Sequence, residues 1–120
     1  MGLTKITATI TNLEKNKPGY ECLFLVDTGS IDCLAPSDKL TEAGIVPEGI
    51  EIYELTDGSK VEYKYGFARI SFFGHETVVQ VIFASNEAEP ILGVVALENT
   101  KIMVDPVSRT LKAIPTKHLK

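Results

Sequence analysis

The sequence predicts an all-β fold: a small β-barrel or sandwich of seven or eight short strands, with one or two short helices. Three observations point there. Val, Ile and Thr make up 32 of the 120 residues, and β-branched side chains favour strands because their restricted χ1 costs less on a pleated surface than in a helix. Apolar and polar residues alternate over several short stretches. Nine glycines and six prolines are spread along the chain as punctuation and are not gathered in a linker.

The elements follow in order. After Lys5, Ile6, Ala8 and Ile10 alternate with Thr7, Thr9 and Thr11, which reads as a half-buried strand over 4–11. Residues 12–19 are mostly polar and contain Pro18-Gly19, a turn. Residues 20–26 are apolar almost throughout, as in a strand covered on both faces. Pro36-Ser37-Asp38 opens a short helix with Ser37 as N-cap and Gly44 past its end. Residues 50–55 alternate again, and Asp57-Gly58 then marks a hairpin. Strands follow over 61–73 and 77–84, joined through Gly74-His75-Glu76. Pro90 ends a polar loop, 92–98 suits two helical turns, and strands over 101–104 and 110–114 flank a turn at Asp105-Pro106. The tail from Pro115 reads as frayed.

Composition narrows the function. At 120 residues the chain is one domain, 1–120, too short for two lobes with a cleft between them. Any large active site is therefore shallow or shared between chains. A net charge of −4 argues against nucleic acid, which needs a surplus of basic residues. The longest glycine-free apolar run, Cys22 through Val26, is five residues, far from the ~20 needed to span a bilayer. No apolar signal-peptide region follows Met1, and Ile6 departs from the myristoylation pattern that Gly2 invites. The expectation is a cytoplasmic protein without membrane contact, with Cys22 and Cys33 reduced and buried. His75 and His118 are isolated, so no metal site is expected. Tyr53, Tyr63 and Tyr65 suit cross-strand packing better than substrate contact.

One segment stands apart. In Leu25-Val26-Asp27-Thr28-Gly29-Ser30 an apolar strand runs into a carboxylate, a hydroxyl and a glycine. Burying Asp27 there is costly unless it is hydrogen-bonded or neutralised. Gly29 permits a tight turn and close backbone approach, and the Thr28 hydroxyl is placed to lock the turn. An ordinary strand-ending turn accounts for the same residues. A second segment, Glu89-Pro90-Ile91-Leu92-Gly93-Val94, puts two bulky aliphatics before a glycine and then a short apolar helix.

Together, in this order and spacing, the segments resemble the retropepsin-like aspartic proteases, the single-lobe relatives of retroviral protease and pepsin. Leu25 through Ser30 match the catalytic loop, 53–63 the flap with Asp57-Gly58 at its tip, Ile91-Leu92-Gly93 the second motif, 94–97 the helix and 102–111 the last strands. The resemblance spans residues 6–114 and implies a small closed β-barrel of the acid-protease type with a flap hairpin. It implies an aspartic-type endopeptidase, with Asp27, Thr28 and Gly29 as the catalytic motif. Ser30, Asp32, Asp57, Gly58, Ile91, Leu92 and Gly93 would line the substrate site.

That chemistry needs two carboxylates sharing one proton, and the chain has one Asp-Thr-Gly. The resemblance therefore implies a twofold homodimer with both Asp27 residues at the axis, no cofactor, and a peptide or protein substrate bound extended. Thr28 would bond across the axis, Gly29 would keep the approach to substrate open, and Ser30 would bond the outer oxygen of Asp27. The sequence departs from the retroviral pattern in three places. Gly58 is the only glycine between Gly49 and Gly66, Ile31 stands where an acid is expected two positions past Gly29, and Pro115 opens a mostly polar tail. The glycine-poor flap and the polar tail suit a second reading, a non-catalytic module of the same fold holding an extended peptide or partner protein. A third is a monomer whose Asp27 is inert.

Overall fold

The computed structural model describes residues 4–105 and 107–114. Nine strands and two short helices follow one another: β1 Thr4–Thr11, β2 Tyr20–Val26, β3 Cys33–Pro36, α1 Ser37–Glu42, β4 Gly49–Glu54, β5 Lys60–Phe72, β6 His75–Ala84, β7 Ile91–Leu92, α2 Val94–Asn99, β8 Ile102–Asp105 and β9 Thr110–Ala113. Seven strands form one sheet in the order β1-β2-β7-β3-β6-β5-β4. β5 also pairs with β1, Ile10 opposite Ile70, and this closes six of the strands into a barrel. Closure removes open edges from the six-stranded ring, edges that would otherwise template aggregation. β4 lies outside the ring, paired only with the first half of β5 from Tyr65 back to Lys60. The expected small closed all-β barrel is therefore present, with a hairpin projecting from it.

The inward residues of each strand fill one core. Ala8 and Ile10 of β1, Phe24 of β2, Ala68 and Ile70 of β5, Val81 of β6 and Leu92 of β7 are all essentially inaccessible. The β1 alternation is as its sequence predicts. β2 is not covered on both faces: Phe24 and Val26 are buried, but Cys22 is only half-buried and Leu23 is 57% exposed. A barrel wall has one inside, and among the described residues no second layer covers the outer face of β2.

The turns are built by local chemistry. Phe73 and Gly74 both take positive φ, 53° and 74°, and join β5 to β6 as a two-residue hairpin whose twist matches the strands. His75 and Glu76 thus belong to β6 and not to the turn. At the β4–β5 tip, Gly58 adopts φ +88° and its N–H donates to the Leu55 carbonyl, while the Leu55 N–H donates to Ser59. α1 begins one residue earlier than the Ser37 N-cap expectation, with Ser37 as its first helical residue. Pro36 holds the cap position without a side-chain bond, and the Asp38 N–H is satisfied by Asn86 Oδ1 at 3.0 Å. Gly44, at φ +84°, ends the helix as expected. β8 and β9 form a separate two-stranded sheet. Pro106 and the tail from Pro115 lie outside the described residues.

Candidate active site

β7 is only two residues long, yet it positions the whole site. It lies between β2 and β3, with Leu25 and Val26 parallel to Ile91 and Leu92, and Leu34 antiparallel to Ile91. The Leu25 N–H donates to the Pro90 carbonyl at 2.9 Å and the Asp27 N–H to the Leu92 carbonyl at 3.1 Å. The backbone of Asp27 is therefore anchored by the second motif.

Beyond Asp27 the loop closes on itself and on α2. The Ser30 N–H donates to the Asp27 carbonyl at 3.1 Å, and the Gly29 N–H to Asp27 Oδ1 at 2.9 Å. The Ser30 and Ile31 carbonyls accept from the Val94 and Val95 N–H groups at 2.8 and 3.2 Å. Donors that a helix N-terminus leaves unpaired are thereby used to hold the loop. Gly93 makes this approach possible. A Cβ there would stand 2.5 Å from the Asp32 carbonyl oxygen and 2.6 Å from that of Ile31. Its φ is an ordinary −87°, so space and not conformation demands glycine. Ile91, Leu92 and Gly93 thus support the site from behind, with Leu92 and Gly93 buried.

Asp27 itself is half-buried at the mouth of the loop, and the Gly29 N–H is its one side-chain bond among the described residues. Thr28 is exposed, and among the described residues its hydroxyl makes no bond that locks the turn. It borders an apolar hollow of about 460 Å³ walled by Val94, Leu97, Ile102, Met103 and Val104. Ser30 does not reach the carboxylate of Asp27. Its Oγ donates to the Asp32 carbonyl at 3.0 Å, while its own carbonyl is held by the Val94 N–H at the start of α2.

A second hollow, about 300 Å³, opens between the loop and the hairpin, lined by Ser30, Asp32, Leu34, Tyr53, Leu55 and Tyr63 among others. Ser30 and Asp32 are brought together on it. Asp57 and Gly58 are not among its walls. The Asp57 carboxylate instead accepts from Ser59 N–H at 2.9 Å and Ser59 Oγ at 2.6 Å, bonds that hold it below the usual carboxylate range. Asp57 is a turn-forming residue at the hairpin tip.

Tyr53 is the site residue that sequence reasoning placed elsewhere. Its ring does pack across the hairpin against Tyr63, centroids 6.3 Å apart. Its hydroxyl also donates to Asp32 Oδ2 at 2.6 Å. Strand alternation puts Tyr53 on the face opposite Ile52, but only the assembled barrel turns that face toward Asp32.

Cys33 stands behind the loop, fully buried, with its sulfur accepting from the Gly93 N–H at 3.5 Å. Burial pushes its thiol up to about 11 from an ordinary 9.0. The folded state thus holds this proton more tightly than the unfolded chain does. Its contribution to stability is complete below pH 9 and is lost as pH rises toward 11. Iodoacetamide at pH 8 is expected to alkylate the half-buried Cys22 of the native protein and spare Cys33, with both modified after unfolding, as peptide mass spectrometry would read. Among the described residues no group of His, Cys, Asp and Glu is placed to hold a metal ion, and no helix is long and apolar enough to cross a membrane.

No family model matches the chain, and no curated protein matches it in sequence. In three dimensions it is similar to the solution structure of the simian foamy virus (mac) protease, with a TM-score of 0.55 and 12% identity, over 78% of this chain and 91% of that one. The fold is thus retropepsin-like.

Proposed function

We propose that the chain is a single retropepsin-like domain and an aspartic endopeptidase, active as a homodimer in which two Asp27 carboxylates meet at the twofold axis. One observation carries this reading. Asp27 emerges half-buried from a loop whose backbone is fixed on both sides, by Leu92 before the turn and by α2 after it. A carboxylate held so firmly, with the Gly29 N–H on one oxygen, is prepared to meet a second.

Two such carboxylates about 3 Å apart cannot both ionise, so the pair shares one proton. The ionised member takes a proton from a water held between them. The protonated member donates to the scissile carbonyl oxygen as the water attacks, stabilising the tetrahedral intermediate. The titration belongs to the pair. The exposed Thr28 and the apolar walls beside it suit contact with a second copy. The space beneath the hairpin suits a peptide lying extended. Both cysteines are free thiols, in keeping with a cytoplasmic setting.

The test is cleavage of an unstructured protein from acidic to neutral pH, with sedimentation on the same samples. Specific activity is expected to rise with chain concentration as the dimer forms. A demonstrable dimer without cleavage would leave the binding-module reading. A strict monomer at high concentration would leave no dyad.

A further inference from the structure

The hairpin of β4 and the first half of β5 leaves the barrel beyond Tyr65, and among the described residues nothing pairs with its β4 edge. Ile50 and Ile52 on its outer face are 60% and 59% exposed. Among the described residues, two β4 side chains of the inner face hydrogen-bond to the barrel. Nearer the root, Gln80 Nε2 donates to Glu51 Oε1 at 3.0 Å, and nearer the tip Tyr53 donates to Asp32. A two-stranded hairpin is marginal in water by itself, so such contacts set its resting position. The Tyr53–Asp32 bond is short and charge-assisted, and the Tyr63 ring backs the phenol.

Asp32 belongs to the same rigid loop as Asp27, and the hollow it lines runs beneath the hairpin. A peptide extended through that space presents main-chain N–H groups, the donors a carboxylate there accepts. The tyrosine hydroxyl and a peptide N–H therefore compete for one acceptor. We propose that Tyr53 is a substrate-displaced latch: its hydroxyl holds the hairpin down on Asp32 in the free protein, and an incoming peptide releases it by giving Asp32 a backbone N–H instead.

This rests on the peptidase reading of the groove and sharpens its substrate class. The peptide must carry a donor at the residue facing Asp32, so proline at that position is excluded, having no N–H to offer. Burial and the Asp32 carboxylate both push the Tyr53 phenol above its ordinary value, so it remains a donor through the neutral range.

Hydrogen–deuterium exchange on the free protein tests the latch without any cleavage. Tyr53→Phe removes one oxygen and is expected to speed exchange of the β4 amides roughly tenfold while leaving β1 and β2 unchanged. Asp32→Ala should do the same, Asp32→Asn less because it keeps an acceptor, and the double variant Tyr53→Phe/Asp32→Ala no more than the faster single one. In the cleavage assay Tyr53→Phe should lower KM. β4 exchange within about twofold of wild type in both single variants, or single effects that multiply, would overturn the latch. An unchanged KM would overturn the competition. Faster β4 exchange without any Asp27-dependent cleavage would keep the latch and remove the peptidase reading.

Discussion

Asp27→Asn is expected to abolish peptide cleavage, by at least about a thousandfold in kcat/KM, while the protein remains folded. The substitution keeps the shape and keeps an oxygen to accept the Gly29 N–H, whose 2.9 Å bond closes the loop. It removes the charge that takes the proton from water and the acid that returns it. Because Asp27 is half-buried and its one bond survives, unfolding free energy should change by no more than about 1 kcal/mol. Cleavage assays paired with urea denaturation would separate the two effects. Comparable loss of both would mean that the carboxylate is structural.

Gly93→Ala carries the largest expected cost to stability, about 3 kcal/mol or more. The atoms that a Cβ would meet at 2.5 to 2.6 Å are the Asp32 carbonyl group and the Ile31 oxygen, backbone that cannot rotate aside. The flanking Leu92 and Ala96 are fully buried, which leaves α2 no room to retreat. The substitution must therefore push the Asp27 loop off the helix, breaking the Val94 and Val95 bonds that hold it. Cleavage should fall even under conditions where the variant stays folded. Gly58→Ala makes the contrast: nothing lies within 4 Å of that Cβ, and only the +88° backbone resists it, at about 1 kcal/mol. Thermal or urea unfolding of the two variants would rank them. Equal stability for Gly93→Ala and wild type would refute the backbone-to-backbone packing.

The barrel was legible where a strand is long enough to show its period. Thr4–Thr11 alternates over four pairs, and its buried residues are Ala8 and Ile10 of the predicted inner face. β3 and β7 were not legible. Cys33–Pro36 is four residues without alternation and ends in proline, and Ile91–Leu92 is too short to have a period at all. These two are strands only because the chain threads β7 between β2 and β3, a tertiary fact. The same limit governs the site. The two motif segments could be matched in order, but that they meet backbone to backbone at Gly93 depends on the path of the loop. Ser30 bonds the backbone carbonyl of Asp32, and Tyr53 reaches its carboxylate across a chain separation that no local pattern reports. Asp57 shows the reverse case: its Asp-Gly turn chemistry was local, and the structure uses it as a turn.

The proposed dyad draws one carboxylate from each of two chains. Mixing wild type with Asp27→Asn at constant total chain concentration, under conditions where subunits exchange freely, measures whether both are needed. If both carboxylates are needed, activity follows the square of the wild-type fraction, and an equal mixture retains about one quarter of the all-wild-type rate. An equal mixture that retains about one half, with activity linear in the wild-type fraction, would mean that each chain works alone and would contradict the shared dyad.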